Sequence, residues 1–343
     1  MKQYLDIIKN VLESGVVREN RTDQKDWFIP SATITHDLRD GFPALTTKQL
    51  FYKQSIGEIL GFIRGYNNAD DFAKLGCRFW FSDANENKTW LNGHYRKGEN
   101  DLGKIYGSTW RSREVFKRVP YWDGAGEDSH GNQIPEADLE AYLQRNGYEC
   151  VNGEGATAKS GLVYSKFVDS FRDCIDSIIN KPNDRRIIMH TWFPEIFDEM
   201  ALPPCHTMYK FTPDAKNNVL HMSMFQRSCD LFLGVPMNLF GSALLLKLIA
   251  DATGYTAGVF THQMADVHLY EKSIVAATEQ TYNTPLELAS IETTKITNSN
   301  ITTNSALHWL ENIEPSEIKL NGYMFTSLDS KRVEMAQEKS IEN

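Results

Sequence analysis

Cys205 stands in the run Leu202-Pro203-Pro204-Cys205-His206. Two prolines restrict the backbone and remove two amide donors just before the thiol. Downstream, Gln226-Arg227-Ser228-Cys229-Asp230 crowds an amide, a guanidinium, a hydroxyl and a carboxylate into five residues. A guanidinium near a thiol favours the thiolate, the form that attacks electrophilic carbon. A buried structural cysteine would account for the same residue, so spacing alone leaves both readings open. Glu58 lies among Ile56, Ile59, Leu60 and Ile63, an apolar stripe at helical spacing. Buried there, its carboxyl would titrate high and suit proton transfer; turned outwards, it would be a solvated helix charge. The pair Arg185-Arg186, taken by itself, reads as a solvated edge.

These residues need a scaffold. Leu5, Ile8, Val11 and Leu12 predict an amphipathic N-terminal helix, and Ile56 to Ile63 a second. Phe167, Phe171, Cys174, Ile175 and Ile178 form another helical stripe, ended by Pro182 and Asn183. The β-branched and apolar run at 185–193 and the alternating run at 219–226 predict strands. A long apolar helix follows from about Asn238. Residues 112–162 are rich in Gly, Glu, Asp and Asn and read as an insertion with one short helix near Ala137 to Gln144. The tail at about 337–343 reads as loose. The fold class is α+β: one domain over 1–343 carrying that insertion.

Lys+Arg number 36 against 45 Asp+Glu, a net charge of −9 over 343 residues. An acidic surface argues against a nucleic-acid partner, because duplex affinity comes from phosphate neutralisation by basic patches. A small phosphorylated substrate needs only a local arginine cluster. Cys77, Cys150, Cys174, Cys205 and Cys229 are widely spaced without a CxxC pair, which fits a reducing cytoplasm and no metal or disulfide framework. The apolar run from Leu239 to Ala252 is broken by Gly241, Ser242, Lys247 and Asp251. It reads as a buried core helix rather than a membrane span.

Several motifs occur in order along the chain: Asn20-Arg21-Thr22, Asp40 to Lys48 (DGFPALTTK), Leu102 to Arg111 (LGKIYGSTWR) and Asp184 to Ile188 (DRRII). Then come LPPCH, Gln226 to Asn238 (QRSCDLFLGVPMN) and Asp266-Val267-His268-Leu269-Tyr270. In this order they resemble the thymidylate synthase family, over nearly the whole chain outside 112–162. The resemblance implies a mixed twisted sheet with helices packed on it, one sheet face forming a homodimer interface. It implies dUMP and 5,10-methylenetetrahydrofolate as substrates. Cys205 matches the nucleophile that adds to C6 of the pyrimidine. Glu58 matches a general acid/base working through ordered water, and Tyr106 a tyrosine that assists proton removal from C5. Asn238 matches the residue that reads the base; an amide accepts from N3–H and donates to O4. Arg21, Arg227 and Ser228 match phosphate ligands, with Gln226 beside them. Arg185 and Arg186 match a pair reaching in from the other subunit. His268 and Tyr270 match ligands of the sugar 3′-hydroxyl. Asp230, Trp80, Lys48, Leu233 and Gly234 match the folate side.

Some positions depart from the pattern. Lys210 replaces a glutamine, Met264-Ala265 replaces two glycines, and Gly241-Ser242 replaces Ser-Tyr. Seven residues follow the segment 331–336 (KRVEMA), which resembles the closing C-terminal segment. In the family, an exocyclic methylene at C5 takes hydride to give a methyl group or water to give a hydroxymethyl group. Departures near the folate and its lid favour water, and the expectation is 5-hydroxymethyl-dUMP, with thymidylate as the alternative. An inactive nucleotide- or RNA-binding member would have no need of Cys205, Glu58 and the arginines together. A thiol hydrolase would need a relay partner for Cys205, and the adjacent His206 is badly placed for one.

Overall fold

Tyr4, Leu5, Ile8 and Val11 form the buried face of helix α1 (Lys2–Ser14), the first element of a computed structural model. It describes residues 1–20, 24–119, 125–127, 133–151, 162–294, 296 and 300–329. One compact unit spans Met1–Arg111 and continues from Ser170; a second spans Ser112–Asp169.

In chain order the first unit opens with α1, β1 (Val16–Glu19), β2 (Lys25–Asp37), α2 (Tyr52–Ile63), α3 (Ala69–Lys74), α4 (Trp80–Asn85), α5 (Lys88–Leu91) and α6 (Tyr106–Arg111). The second unit contains β3 (Arg113–Val119), β4 (Ala125–Glu127), β5 (Gln133–Pro135), α7 (Glu136–Arg145), β6 (Glu149–Cys150) and β7 (Leu162–Val168). The first unit resumes with α8 (Ser170–Asn180), β8 (Ile188–His190), β9 (His206–Asp214), β10 (Val219–Gln226), β11 (Cys229–Asp230), α9 (Gly234–Thr253) and β12 (Thr256–Tyr270). It closes with α10 (Ile274–Gln280), β13 (Ser290–Thr293), α11 (Thr303–Asn312) and β14 (Ile318–Asn321).

A seven-stranded sheet in the order β1-β2-β12-β10-β9-β8, with β11 added against β12, organises the first unit. β10 and β11 run parallel to β12, and the other neighbours are antiparallel. The sheet is therefore mixed, as expected. Helix α9 is buried along almost its whole length. It is long and apolar enough to cross a membrane by composition, but most of that surface is enclosed by the protein. It packs on α2, where a Cβ at Gly241 would stand only 3.2 Å from Ile59. Lys247 and Asp251, one turn apart, pair at 2.5 Å, so the polar interruptions of the helix are satisfied locally.

Three sequence expectations shift. The strand at 185–193 shortens to β8 (Ile188–His190), leaving Arg185 and Arg186 in the turn before it. Helix α9 begins at Gly234 rather than Asn238, because Pro236 falls in its first turn, where the missing N–H has no helical partner to lose. Phe167 does not join the stripe of α8: it sits in β7 opposite Glu114 and is exposed. In the second unit β3-β7-β6 form one sheet, and Leu143, Tyr148 and Tyr164 make a small core with Val115. The helix expected near Ala137 to Gln144 is α7, Glu136–Arg145.

Candidate active site

The loop before β9 holds Cys205 by three independent contacts. The Cys205 backbone N–H donates to the Tyr106 phenol at 2.7 Å. The Cys205 carbonyl accepts from the Arg227 backbone N–H at 2.9 Å. The Arg227 guanidinium straddles the loop, Nε donating to the Pro204 carbonyl and Nη2 to the Pro203 carbonyl, each at 2.8 Å. It also lies over the Trp192 ring, 5.2 Å from its centre. Prolines lack amide donors but keep their carbonyls, and a planar fork of N–H groups suits two successive carbonyls. Cys205 is half-buried, whereas Cys77, Cys174 and Cys229 are buried, and none of the five cysteines is in a disulfide. Burial pushes the Cys77 and Cys229 thiols up, so both stay protonated.

Tyr106 opens α6. Gly107 lets that helix abut α2, since a Cβ there would meet the Phe62 backbone at 2.1 Å. Phe62 then stacks on the Tyr106 ring at 4.7 Å, and Trp80 and His206 meet it edge-on at 5.9 and 5.7 Å. Burial, then the nearby Cys205, holds the phenol well above its ordinary pKa. Glu58 lies one helix away. It retains some open area, yet protein encloses its carboxyl, and this burial, with Asp83 adding repulsion, pushes its pKa up to about 7. Trp80 opposes the shift. Trp80 is a core residue packed on Phe62, Phe72 and Tyr106.

A second polar group centres on Gln226. Gln226 Nε2 donates to Asn238 Oδ1 and to the Ser228 carbonyl, each at 3.0 Å. Its Oε1 is 2.8 Å from His262 Nε2. His206 Nδ1 is 3.0 Å from the Tyr209 hydroxyl, and burial lowers His206 to about 4. His206 is thus neutral at working pH.

Other expected residues are placed as follows. Arg21 lies outside the described residues. Arg185 and Arg186 are exposed, and Arg186 turns back onto Asp184 at 3.0 Å. His268 is buried; its Nδ1 is 2.8 Å from the Asp266 carbonyl, leaving Nε2 for another partner, and Tyr270 meets its ring edge-on. Asp230 accepts from the Phe232 and Leu233 backbone N–H groups at 3.1 Å, so it shapes the turn that delivers Leu233 and Gly234 into α9. Lys48 is turned inwards, donating to the Phe232 carbonyl at 2.5 Å under the Phe232 ring, and burial lowers its pKa to about 8.

Three positioning residues escaped sequence reading. Tyr209 and His262 look like ordinary strand positions. Arg18 bridges Asp26 and Asp266 at 2.8 and 2.7 Å, pinning Asp266 at φ 47°, a region that L-residues seldom adopt. Alternation along β1 gave no sign of that role.

A profile of the thymidylate synthase family matches residues 2–336. The chain belongs to the thymidylate synthase family. It is 40% identical over 324 residues to a thymidylate synthase of Pseudomonas syringae pv. tomato, covering 94% of this chain and 96% of that one. It is 38% identical over 324 residues to one of Bordetella parapertussis, with the same shares covered. It is 32% identical over 276 residues to one of Aliivibrio fischeri, 80% of each chain. Membership in the thymidylate synthase family makes the chain a one-carbon transferase and implies dUMP and methylenetetrahydrofolate as substrates and a homodimeric assembly.

The expectation of a hydroxymethyl product rested on departures placed near the pocket. The structure gives the neighbours of three of them. Lys210 is partly buried near Asp184 and Cys174, its ammonium donating to the Phe211 carbonyl at 2.5 Å. On β9 it alternates with Tyr209 and Phe211, which face the core. Met264 is a core side chain, and Gly241 packs on Ile59. The segment 331–343 lies outside the described residues.

Proposed function

We propose that this chain is a thymidylate synthase that converts dUMP to dTMP, releasing dihydrofolate. The observation that carries this reading is the near end-to-end likeness to proteins named thymidylate synthase, 40% identical over 94% of this chain. Of the departures that favoured water addition, Met264 and Gly241 are taken up by core packing.

Cys205 adds as thiolate to C6 of the pyrimidine, and the electron pair of the C5–C6 bond moves onto C5 and O4. Asn238 donates to O4 and steadies that charge. Arg227 holds the thiol loop and, with Arg21, the 5′-phosphate; Arg185 and Arg186 serve the other subunit's phosphate. His268 and Tyr270 bind the 3′-hydroxyl. Methylenetetrahydrofolate supplies the carbon and then a hydride, leaving as dihydrofolate. Tyr106 helps to remove the C5 proton, and Glu58, titrating near neutrality, can give or take a proton through water at working pH. Cys205 is expelled as the C5–C6 double bond re-forms.

The test is incubation of enzyme, dUMP and methylenetetrahydrofolate, following the absorbance rise of dihydrofolate and weighing the nucleotide. Dihydrofolate in equal amount with a methyl mass increment is expected. A hydroxymethyl increment without dihydrofolate would overturn the reading.

A further inference from the structure

Asn238 can read two bases. With Oδ1 towards N3–H and Nδ2 towards O4 it fits uracil; rotated by half a turn, it presents the pattern for cytosine. The discrimination therefore lies in whatever prevents the rotation. Gln226 Nε2 donates to Asn238 Oδ1 at 3.0 Å, which marks that oxygen and sets the amide nitrogen as the end that donates to O4. Gln226 is itself a reversible amide. The Ser228 carbonyl can only accept, and it takes an N–H from Gln226 Nε2 at 3.0 Å. With Nε2 on that carbonyl, Gln226 Oε1 faces His262 and needs a donor there.

His262 is wholly buried on β12, stacked on Phe260 at 6.0 Å. Its Nε2 lies 2.8 Å from Gln226 Oε1, and its Nδ1 is buried without a hydrogen-bond partner. Burial, with His206 adding repulsion, keeps the ring neutral, with one proton to place. A buried N–H left unpaired is rarer in proteins than a buried acceptor left unpaired, so the proton belongs on Nε2. We propose that His262 is a positioning residue for base selection, donating from Nε2 to Gln226 Oε1 and so orienting, through Gln226, the amide of Asn238 for uracil rather than cytosine. The relay runs in one direction: His262 N–H to Gln226 oxygen, Gln226 N–H to Asn238 oxygen, Asn238 N–H to O4. The proposal deepens the dUMP reading and rests on it.

The test compares wild type with His262→Phe, which keeps a ring against Phe260 but has no donor, and His262→Gln, whose amide nitrogen can reach the Nε2 position. Turnover is measured on dUMP and dCMP. His262→Phe should lose discrimination between the two by about tenfold, mainly through the dUMP kcat/KM, because Gln226 Oε1 is left buried and unsatisfied. His262→Gln should restore most of it. A folded His262→Phe with unaltered discrimination overturns the proposal. Nitrogen-15 NMR of the wild-type ring gives a second readout that needs no variant to fold: an Nε2–H tautomer is expected, and an Nδ1–H tautomer overturns the proposal. Failure of wild type to turn over dUMP would instead strike the function reading, and the tautomer would still report the relay.

Discussion

The phenol oxygen of Tyr106 accepts the backbone N–H of Cys205 at 2.7 Å. These residues are 99 positions apart in the chain, and the bond ties the nucleophile loop to the helix packed beside Glu58. Tyr106→Phe removes the acceptor and leaves that N–H unsatisfied. Stability should fall by about 1–3 kcal/mol and kcat by tenfold or more. Denaturant midpoints and steady-state kinetics check both. A stability loss with unchanged kcat would confine Tyr106 to a structural role.

Arg227→Lys replaces a fork by a point charge. A single ammonium cannot span the Pro203 and Pro204 carbonyls as the guanidinium does. The expected result is a fall in dUMP kcat/KM of about a hundredfold, with kcat sharing in the loss because the thiol loop loosens. A rise in KM alone would show that Arg227 acts on the phosphate and not on the loop.

Glu58 links pH to both rate and stability. Its folded pKa of about 7 stands above the ordinary 4.5, so the folded state holds the extra proton between those values. Stability contributed by this group therefore declines as pH rises from 4.5 to 7 and is lowest above 7. Glu58→Gln should match wild type near pH 4.5 and exceed it by about 3 kcal/mol above pH 7. In the same variant kcat should fall and lose its ionisation near neutrality. A wild-type rate profile flat from pH 6 to 8 would be the contrary result.

Arg185 and Arg186 are exposed, and Arg186 is paired with Asp184. Mixing Cys205→Ala protein with Arg185→Ala protein should regenerate about a quarter of wild-type activity, since half the dimers are hybrids and each hybrid holds one whole site. No recovery after demonstrated subunit exchange would remove Arg185 from the neighbouring site.

The sequence by itself determined the family, the nucleophile motif and the stripes that become α1, α2 and α9, because local periodicity and motif order are properties of the chain alone. It also carried the burial of Glu58 as an implication, since that residue shares a helix with Ile56, Ile59, Leu60 and Ile63. Tertiary structure decided which polar atoms meet. The Arg227 clamp on Pro203 and Pro204 joins residues more than twenty positions apart. The chain from His262 through Gln226 to Asn238 joins β12, β10 and α9. Arg18 finds Asp266 only because β2 lies between β1 and β12. Tertiary structure likewise decided the neighbours of Lys210, Met264 and Gly241: the Phe211 carbonyl, the core and Ile59. A strand residue's facing depends on register, and a helix residue's neighbours on the partner that covers it. Neither quantity is local, so neither could be read along the chain.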